Sequence, residues 1–147
     1  LKERMMTKLM ASAFVSATLL AGASLAQAEM HGDMHPQVWA DDQSVAGGTV
    51  TAEKVTADSN GWLVVHRTDE SMKPGPVVGH APLKAGENTD IAAILTEEVS
   101  SGEHLMLMLH GEDGGNQTGV FEYTLGASED GPVKVDGNLV MAVITAQ

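Results

Sequence analysis

The short segment 29–37 contains two Met-His pairs that are four residues apart. The side chains of methionine and histidine can both bind transition-metal ions. Thioether sulfur suits Cu(I), and imidazole accepts Cu(I), Cu(II), nickel or zinc. A flexible arm wraps several such groups around one ion without a preformed pocket. We therefore predict a copper site in this arm, for Cu(I) or Cu(II), with a polar leader that binds no metal as the alternative. The predicted ligands are Met30, His31, Met34 and His35.

A second group of such side chains lies in the run 104–110, where His, Met, Met and His alternate with three leucines. Strand periodicity places the leucines on one face, which we predict to be core, and the Met and His side chains on the other. The two histidines of this run are about 20 Å apart along a strand, too far to share one ion. A site in the domain therefore needs His66 or His80 to converge with one end of this run, and we favour His110 as that end. We include His66 and His110 among the predicted metal ligands. The alternative is a set of buried histidines bonded to backbone groups.

The chain has no cysteine, which excludes thiolate zinc sites, cysteine-ligated iron–sulfur clusters and the blue-copper centre. A copper site built from thioether and imidazole alone suits a carrier or buffer. The chain also lacks a G-x-S-x-G elbow, an H-E-x-x-H pair and a phosphate-cradling glycine loop. We predict no catalytic residue, no cofactor-binding residue other than metal ligands, and no enzymatic activity.

The start of the chain has the pattern of a secretory signal. Lys8 is followed by an apolar run over 11–25 and by the A-x-A sequence of residues 26–28. The run is shorter than the about twenty apolar residues of a membrane span. We predict that residues 1–28 are an upstream extension and a cleaved signal helix. The mature chain then begins at Glu29, is periplasmic or secreted, and has no integral membrane span.

Composition and charge limit the partners. Twenty acidic against eight basic side chains give a net charge of −12, which disfavours nucleic acid and anionic membrane surfaces. Possible partners are therefore a metal ion or a protein of the cell envelope. Hydrophobic residues make up 43% of the chain, enough for a packed core, although only five residues are aromatic.

Beyond Pro36, short β-rich runs alternate with Gly, Pro, Asn and Asp turns, and no segment keeps a helical period. We predict an all-β domain over 38–147, an antiparallel two-sheet sandwich of the immunoglobulin or cupredoxin kind with about seven or eight strands. A small closed barrel is the alternative. The predicted strands are 38–40, 49–55, 61–67, 77–81, 89–95, 104–110, 119–123 and 139–145.

An ordered series of short motifs runs through this domain: DQS at 42–44, GWLVVH at 61–66, PGPVVGHAPL at 74–83, AGENT at 85–89, MLH at 108–110 and GVFEY at 119–123. The series resembles an uncharacterised extracytoplasmic β domain family of haloarchaeal surface proteins and secreted bacterial proteins. The resemblance implies the fold and the compartment, and no activity.

Two functions fit these observations. The first is an exported, non-catalytic binding module that handles copper in the periplasm through the Met/His arm. The second is a structural or protein-interaction domain of the cell envelope that binds no metal. The arm discriminates between them, because only the first function needs its ligands.

Overall fold

The computed structural model describes residues 35–147, and all regular elements in that range are strands. The predicted signal helix and the predicted ligands Met30, His31 and Met34 lie outside the described residues. Within the described range, no helix is long and apolar enough to cross a membrane. The strands are β1 Gln37–Trp39, β2 Thr49–Ala57, β3 Gly61–Thr68, β4 Val77–Leu83, β5 Gly86–Leu95, β6 His104–Gly111, β7 Lys134–Val135, β8 Asn138–Leu139 and β9 Met141–Thr145.

Seven strands form one antiparallel sheet in the order β1-β2-β5-β4-β3-β6-β9, and β7 and β8 form a separate hairpin. The sheet curls until its two edges approach each other. The backbone N–H of Thr145 donates to the Asp42 carboxylate at 2.7 Å, and Gln43 bridges to Ala146. The result is nearly a barrel. The predicted all-β antiparallel class is confirmed.

The core fills the inside of this curled sheet. Leu105, Leu107 and Leu109 of β6 are buried there with Leu63 and Val65 of the neighbouring strand β3. Burial of each leucine side chain contributes about 2 kcal/mol relative to leaving it in water. The prediction that the leucine face of 104–110 is core is therefore confirmed.

The opposite face of β3 and β6 is also buried, and we call it the histidine–methionine face. Its cross-strand neighbours are Trp62 with His110, Val64 with Met108, and His66 with Met106. The segment 112–133 covers this face, since His110 forms a bridge to Pro132 and the aromatic side chains of this segment contact the histidine rings. The two central strands are thus covered on both sides, which explains the unbroken apolar run at the start of β3.

The predicted strand at 119–123 is wrong, because this part of the covering segment is irregular. Gly119 has a φ of +82°, and the backbone N–H of Glu122 donates to the Asp130 carboxylate at 2.8 Å instead of to a strand. Phe121 and Tyr123 pack against histidine rings. The aromatic residues that made this run look like a strand therefore pack against the histidine rings, and the Asp130 carboxylate binds its backbone in place of a neighbouring strand.

The close approach of β3 and β6 gives a test of the fold at Gly61. A methyl group there would collide with the backbone carbonyl of His110, whereas Gly47 has open space around it. We expect Gly61→Ala to lower the free energy of unfolding by about 2 kcal/mol or more, because the two strands must separate. Urea unfolding measures this loss, and Gly47→Ala is the matched control. Equal stabilities of the two variants would contradict the register described here.

Candidate metal centre

The imidazole rings of His66 and His110 meet on the histidine–methionine face. Their Nε2 atoms are 3.2 Å apart, and both side chains are fully buried. The ring centroids are 5.4 Å apart and the ring planes differ by 28°. Because the centroids are much farther apart than the Nε2 atoms, the rings point their tips at each other and do not lie face to face.

The register of the sheet explains how these two residues reach each other. His66 lies opposite Met106 and His110 lies opposite Trp62, so the histidines sit on either side of the pair Val64 and Met108. The pairing of β3 with β4 also shifts between Val65 and His66. Such a bulge changes the direction in which a strand presents its side chain. Each histidine leans along the sheet toward the other.

The second nitrogen of each ring bonds to a backbone carbonyl. His66 Nδ1 lies 2.8 Å from the oxygen of Gly75, and His110 Nδ1 lies 2.7 Å from the oxygen of Asp130. A carbonyl can only accept, so the hydrogen-bond partners place a hydrogen on both Nδ1 atoms. A neutral ring then carries its lone pair on Nε2. Two Nε2 acceptors therefore face each other.

Asp130 fixes the carbonyl that His110 uses. Its side chain is fully buried, and its carboxylate accepts the backbone N–H of Asp113 at 3.1 Å and of Glu122 at 2.8 Å. Its own N–H donates to the oxygen of Asp113 at 2.8 Å. Asp130 therefore ties together three points of the covering segment and holds its own carbonyl against the ring of His110.

Aromatic side chains close the face above the histidine pair. The ring of Tyr123 stands edge-on to His110, with centroids 4.5 Å apart, and to His66, with centroids 5.9 Å apart. Phe121 stacks on His80 at 4.3 Å and packs against Trp62 at 5.4 Å. The pair is thereby shielded from water on the side away from the sheet.

Burial controls the charge of the two rings. It lowers the pKa of His66, against a smaller opposing effect of the hydrogen bond with Gly75. It lowers the pKa of His110 to about 4. Both rings are therefore neutral near pH 7, which is the form that binds a metal ion.

The structure places the predicted ligands in two groups. It brings together His66 and His110, as the sequence predicts, and their role as ligands stays a prediction. His35 is exposed just before β1, and its carbonyl accepts the hydroxyl of Thr56 at 2.7 Å. His80 is exposed and contacts aromatic rings. Within residues 35–147 no three His, Asp or Glu side chains are grouped to hold an ion.

Sequence reasoning missed Asp130 and Tyr123. Asp130 lies in a turn with nothing in its neighbourhood that signals burial, and Tyr123 belongs to the run that was assigned to a strand. Only Tyr123 has a signal in the sequence, and this signal is weak. It is the spacing of a tyrosine and a phenylalanine two residues apart in a glycine-rich segment of a chain with few aromatic residues.

A family model described as a domain of unknown function, DUF7282, matches residues 36–147. The chain belongs to the DUF7282 family. No curated protein and no solved structure matches it. The prediction of an uncharacterised domain family is thus confirmed. In this DUF7282 domain the matched range includes the nine strands described within residues 35–147 and the histidine pair, whereas Met30, His31, Met34 and His35 precede it.

Proposed function

We propose that this protein is an exported, non-catalytic module that binds copper, with His66 and His110 as the ligands inside its domain. The observation that supports this most is the hydrogen bonding of the two rings. Histidines that bind metals donate their other ring N–H to a carbonyl or carboxylate, which fixes the ring and its tautomer. Both histidines do so here, and both free nitrogens point to the same place.

The Met/His arm is the second part of the proposed copper-binding function. Its proposed ligands are Met30, His31, Met34 and His35. These side chains offer two thioethers and two imidazoles, a soft set suited to copper. The arm precedes the family domain, so copper binding by the arm is a property of this chain and is not implied by the family.

We also propose export to the periplasm or the medium, as implied by the resemblance to an extracytoplasmic domain family of haloarchaeal surface proteins and secreted bacterial proteins. The signal-like run before Glu29 supports this proposal, and the acidic charge of −12 argues against a nucleic-acid partner. Mass spectrometry of the exported protein is expected to give a chain that begins at Glu29. A mature chain that begins earlier would contradict the cleavage prediction.

A copper titration in both oxidation states tests the proposed function. We expect His31→Ala/His35→Ala to lose most Cu(II) binding with an unchanged melting temperature, because both residues precede the family domain over 36–147. We expect His66→Gln/His110→Gln to lose a separate equivalent of copper, and His104→Gln to keep it. His104 is the matched control, since it lies on the same face at the other end of β6 and its Nδ1 is 3.3 Å from the hydroxyl of Thr145.

The same titration separates copper binding from the alternative function. A protein that binds no copper in either oxidation state would leave the structural or interaction domain of the envelope, with a protein partner and no metal. A pair variant that binds as much copper as the parent would show that the histidine pair is not the site. Circular dichroism checks that each variant keeps its β structure.

A further inference from the structure

The two lone pairs of the histidine pair lie nearly on one line. Because the rings meet tip to tip, an ion that lies on both lone-pair axes has its two ligands on opposite sides. With metal–nitrogen bonds of about 2.0 Å, a linear ion needs the Nε2 atoms about 4 Å apart. Binding of a linear ion therefore requires the two Nε2 atoms to separate by about 0.8 Å from the observed 3.2 Å. A bent arrangement would instead place the ion away from both lone-pair axes.

The surroundings offer few further ligands. A tetrahedral zinc site needs four ligands, and Cu(II) prefers four in a plane. In residues 35–147 no third His, Asp or Glu joins the pair. Asp130 is the acidic residue whose carbonyl contacts the pair, and its carboxylate is occupied by the N–H groups of Asp113 and Glu122. Between the two histidines the register places Val64 and Met108, one apolar and one soft side chain.

The buried position also discriminates by charge. Both ligands are neutral, and the face around them is made of Trp62, Val64, Met106 and Met108. The cost of moving an ion out of water rises with the square of its charge, so a divalent ion costs about four times as much as a monovalent ion of the same size. A neutral pair of nitrogens offsets this cost far more readily for a monovalent ion.

We infer that the His66–His110 pair selects a single monovalent soft cation, Cu(I), held in two-coordinate geometry, over Cu(II) and Zn(II). This inference rests on the proposed function, because it requires that the pair bind metal at all. It goes further by naming the oxidation state and the coordination number. Soft ions of low charge accept imidazole and few ligands, whereas harder divalent ions need the additional donors that this face does not supply.

X-ray absorption at the copper edge tests the inference on the Cu(I)-loaded protein under anaerobic conditions. The arm variant Met30→Ala/His31→Ala/Met34→Ala/His35→Ala provides the background, so that only copper in the domain contributes. We expect two nitrogen neighbours and no third ligand, whether nitrogen, oxygen or sulfur. Competition with Zn(II) and with Cu(II) is expected to leave the bound Cu(I) in place. His66→Gln/His110→Gln is expected to lose this copper, and His104→Gln to retain it.

The outcomes separate the inference from the proposed function. A third nitrogen, oxygen or sulfur neighbour, or Zn(II) or Cu(II) bound at the pair as tightly as Cu(I), would overturn the inference and leave copper binding by the pair intact. Failure of the arm variant to bind Cu(I), Cu(II) or Zn(II) through His66 and His110 would overturn the inference and the part of the proposed function that concerns this pair, and would leave only the arm as a proposed copper site.

Discussion

Replacing Asp130 with alanine is expected to lower the free energy of unfolding by about 3 kcal/mol or more. The buried carboxylate accepts two backbone N–H groups, and its removal leaves both without a partner. Hydrogen bonds to charged groups contribute about 1.5–3 kcal/mol each, and the loss of a buried acceptor costs the desolvation of its donors as well. Urea unfolding measures the effect directly.

Asp136→Ala is the matched control for this variant. Asp136 also has a positive φ, +51° against +45° for Asp130, but its side chain is exposed. The backbone strain of an alanine is therefore similar at both positions, and the difference between the variants isolates the carboxylate bonds. We expect Asp136→Ala to lose about 1 kcal/mol at most. Equal losses in the two variants would contradict the role assigned to Asp130.

The same substitution is expected to weaken copper binding in the domain. The carbonyl of Asp130 holds the Nδ1 hydrogen of His110, and the carboxylate holds that carbonyl in place. Loss of such a supporting contact commonly costs about 10- to 100-fold in metal affinity. In the proposed site Asp130 is a positioning residue, because it contacts His110 through its carbonyl and is not itself a proposed ligand.

The second large effect is a loss of stability of the metal-free domain in acid. The pKa of His110 is lowered to about 4 in the folded state, whereas an unfolded histidine titrates near 6.5. Between these values the unfolded chain binds a proton that the folded chain does not. Stability therefore falls as the pH drops from about 6.5 toward 4, by about 3 kcal/mol in total. His66 shifts in the same direction.

Urea unfolding across this pH range, in the presence of a chelator, measures the predicted slope. His110→Gln is the control, because it removes the titrating ring while the carboxylates of the rest of the chain titrate as before. We expect a flatter dependence in this variant. An equal dependence on pH in parent and variant would show that His110 does not hold a lowered pKa.

The alternation in β6 was sufficient to predict which side chains share the face that carries the proposed histidine ligands. It separated Leu105, Leu107 and Leu109 from the Met and His side chains, and strand length ruled out an ion shared by the two ends. The need for a second strand then left His66 and His80 as possible partners of His110, and the structure brings Nε2 of His66 to within 3.2 Å of Nε2 of His110. This reasoning works because a β-strand has a fixed period and a fixed rise.

The groups that orient the two histidine rings could not be predicted from residue types. The Nδ1 atoms bond to the carbonyls of Gly75 and Asp130, and any residue has a carbonyl. The sequence does not show whether His66 or His80 faces His110, and the register shift next to His66 has no signature in the sequence. The run 119–123 has the composition of a strand, but the backbone N–H of Glu122 bonds to the buried carboxylate of Asp130 and not to a neighbouring strand.

The identity of the nitrogens that bind a metal ion tests the central claim most directly, and nuclear magnetic resonance with silver can identify them. Ag(I) is a redox-stable analogue of Cu(I), and its nuclear spin couples to a bonded ¹⁵N. In the arm variant we expect one bound Ag(I) that couples to the Nε2 atoms of both His66 and His110, while both Nδ1 atoms keep their hydrogens. Silver that couples to neither Nε2, or that binds through Nδ1, would contradict the account.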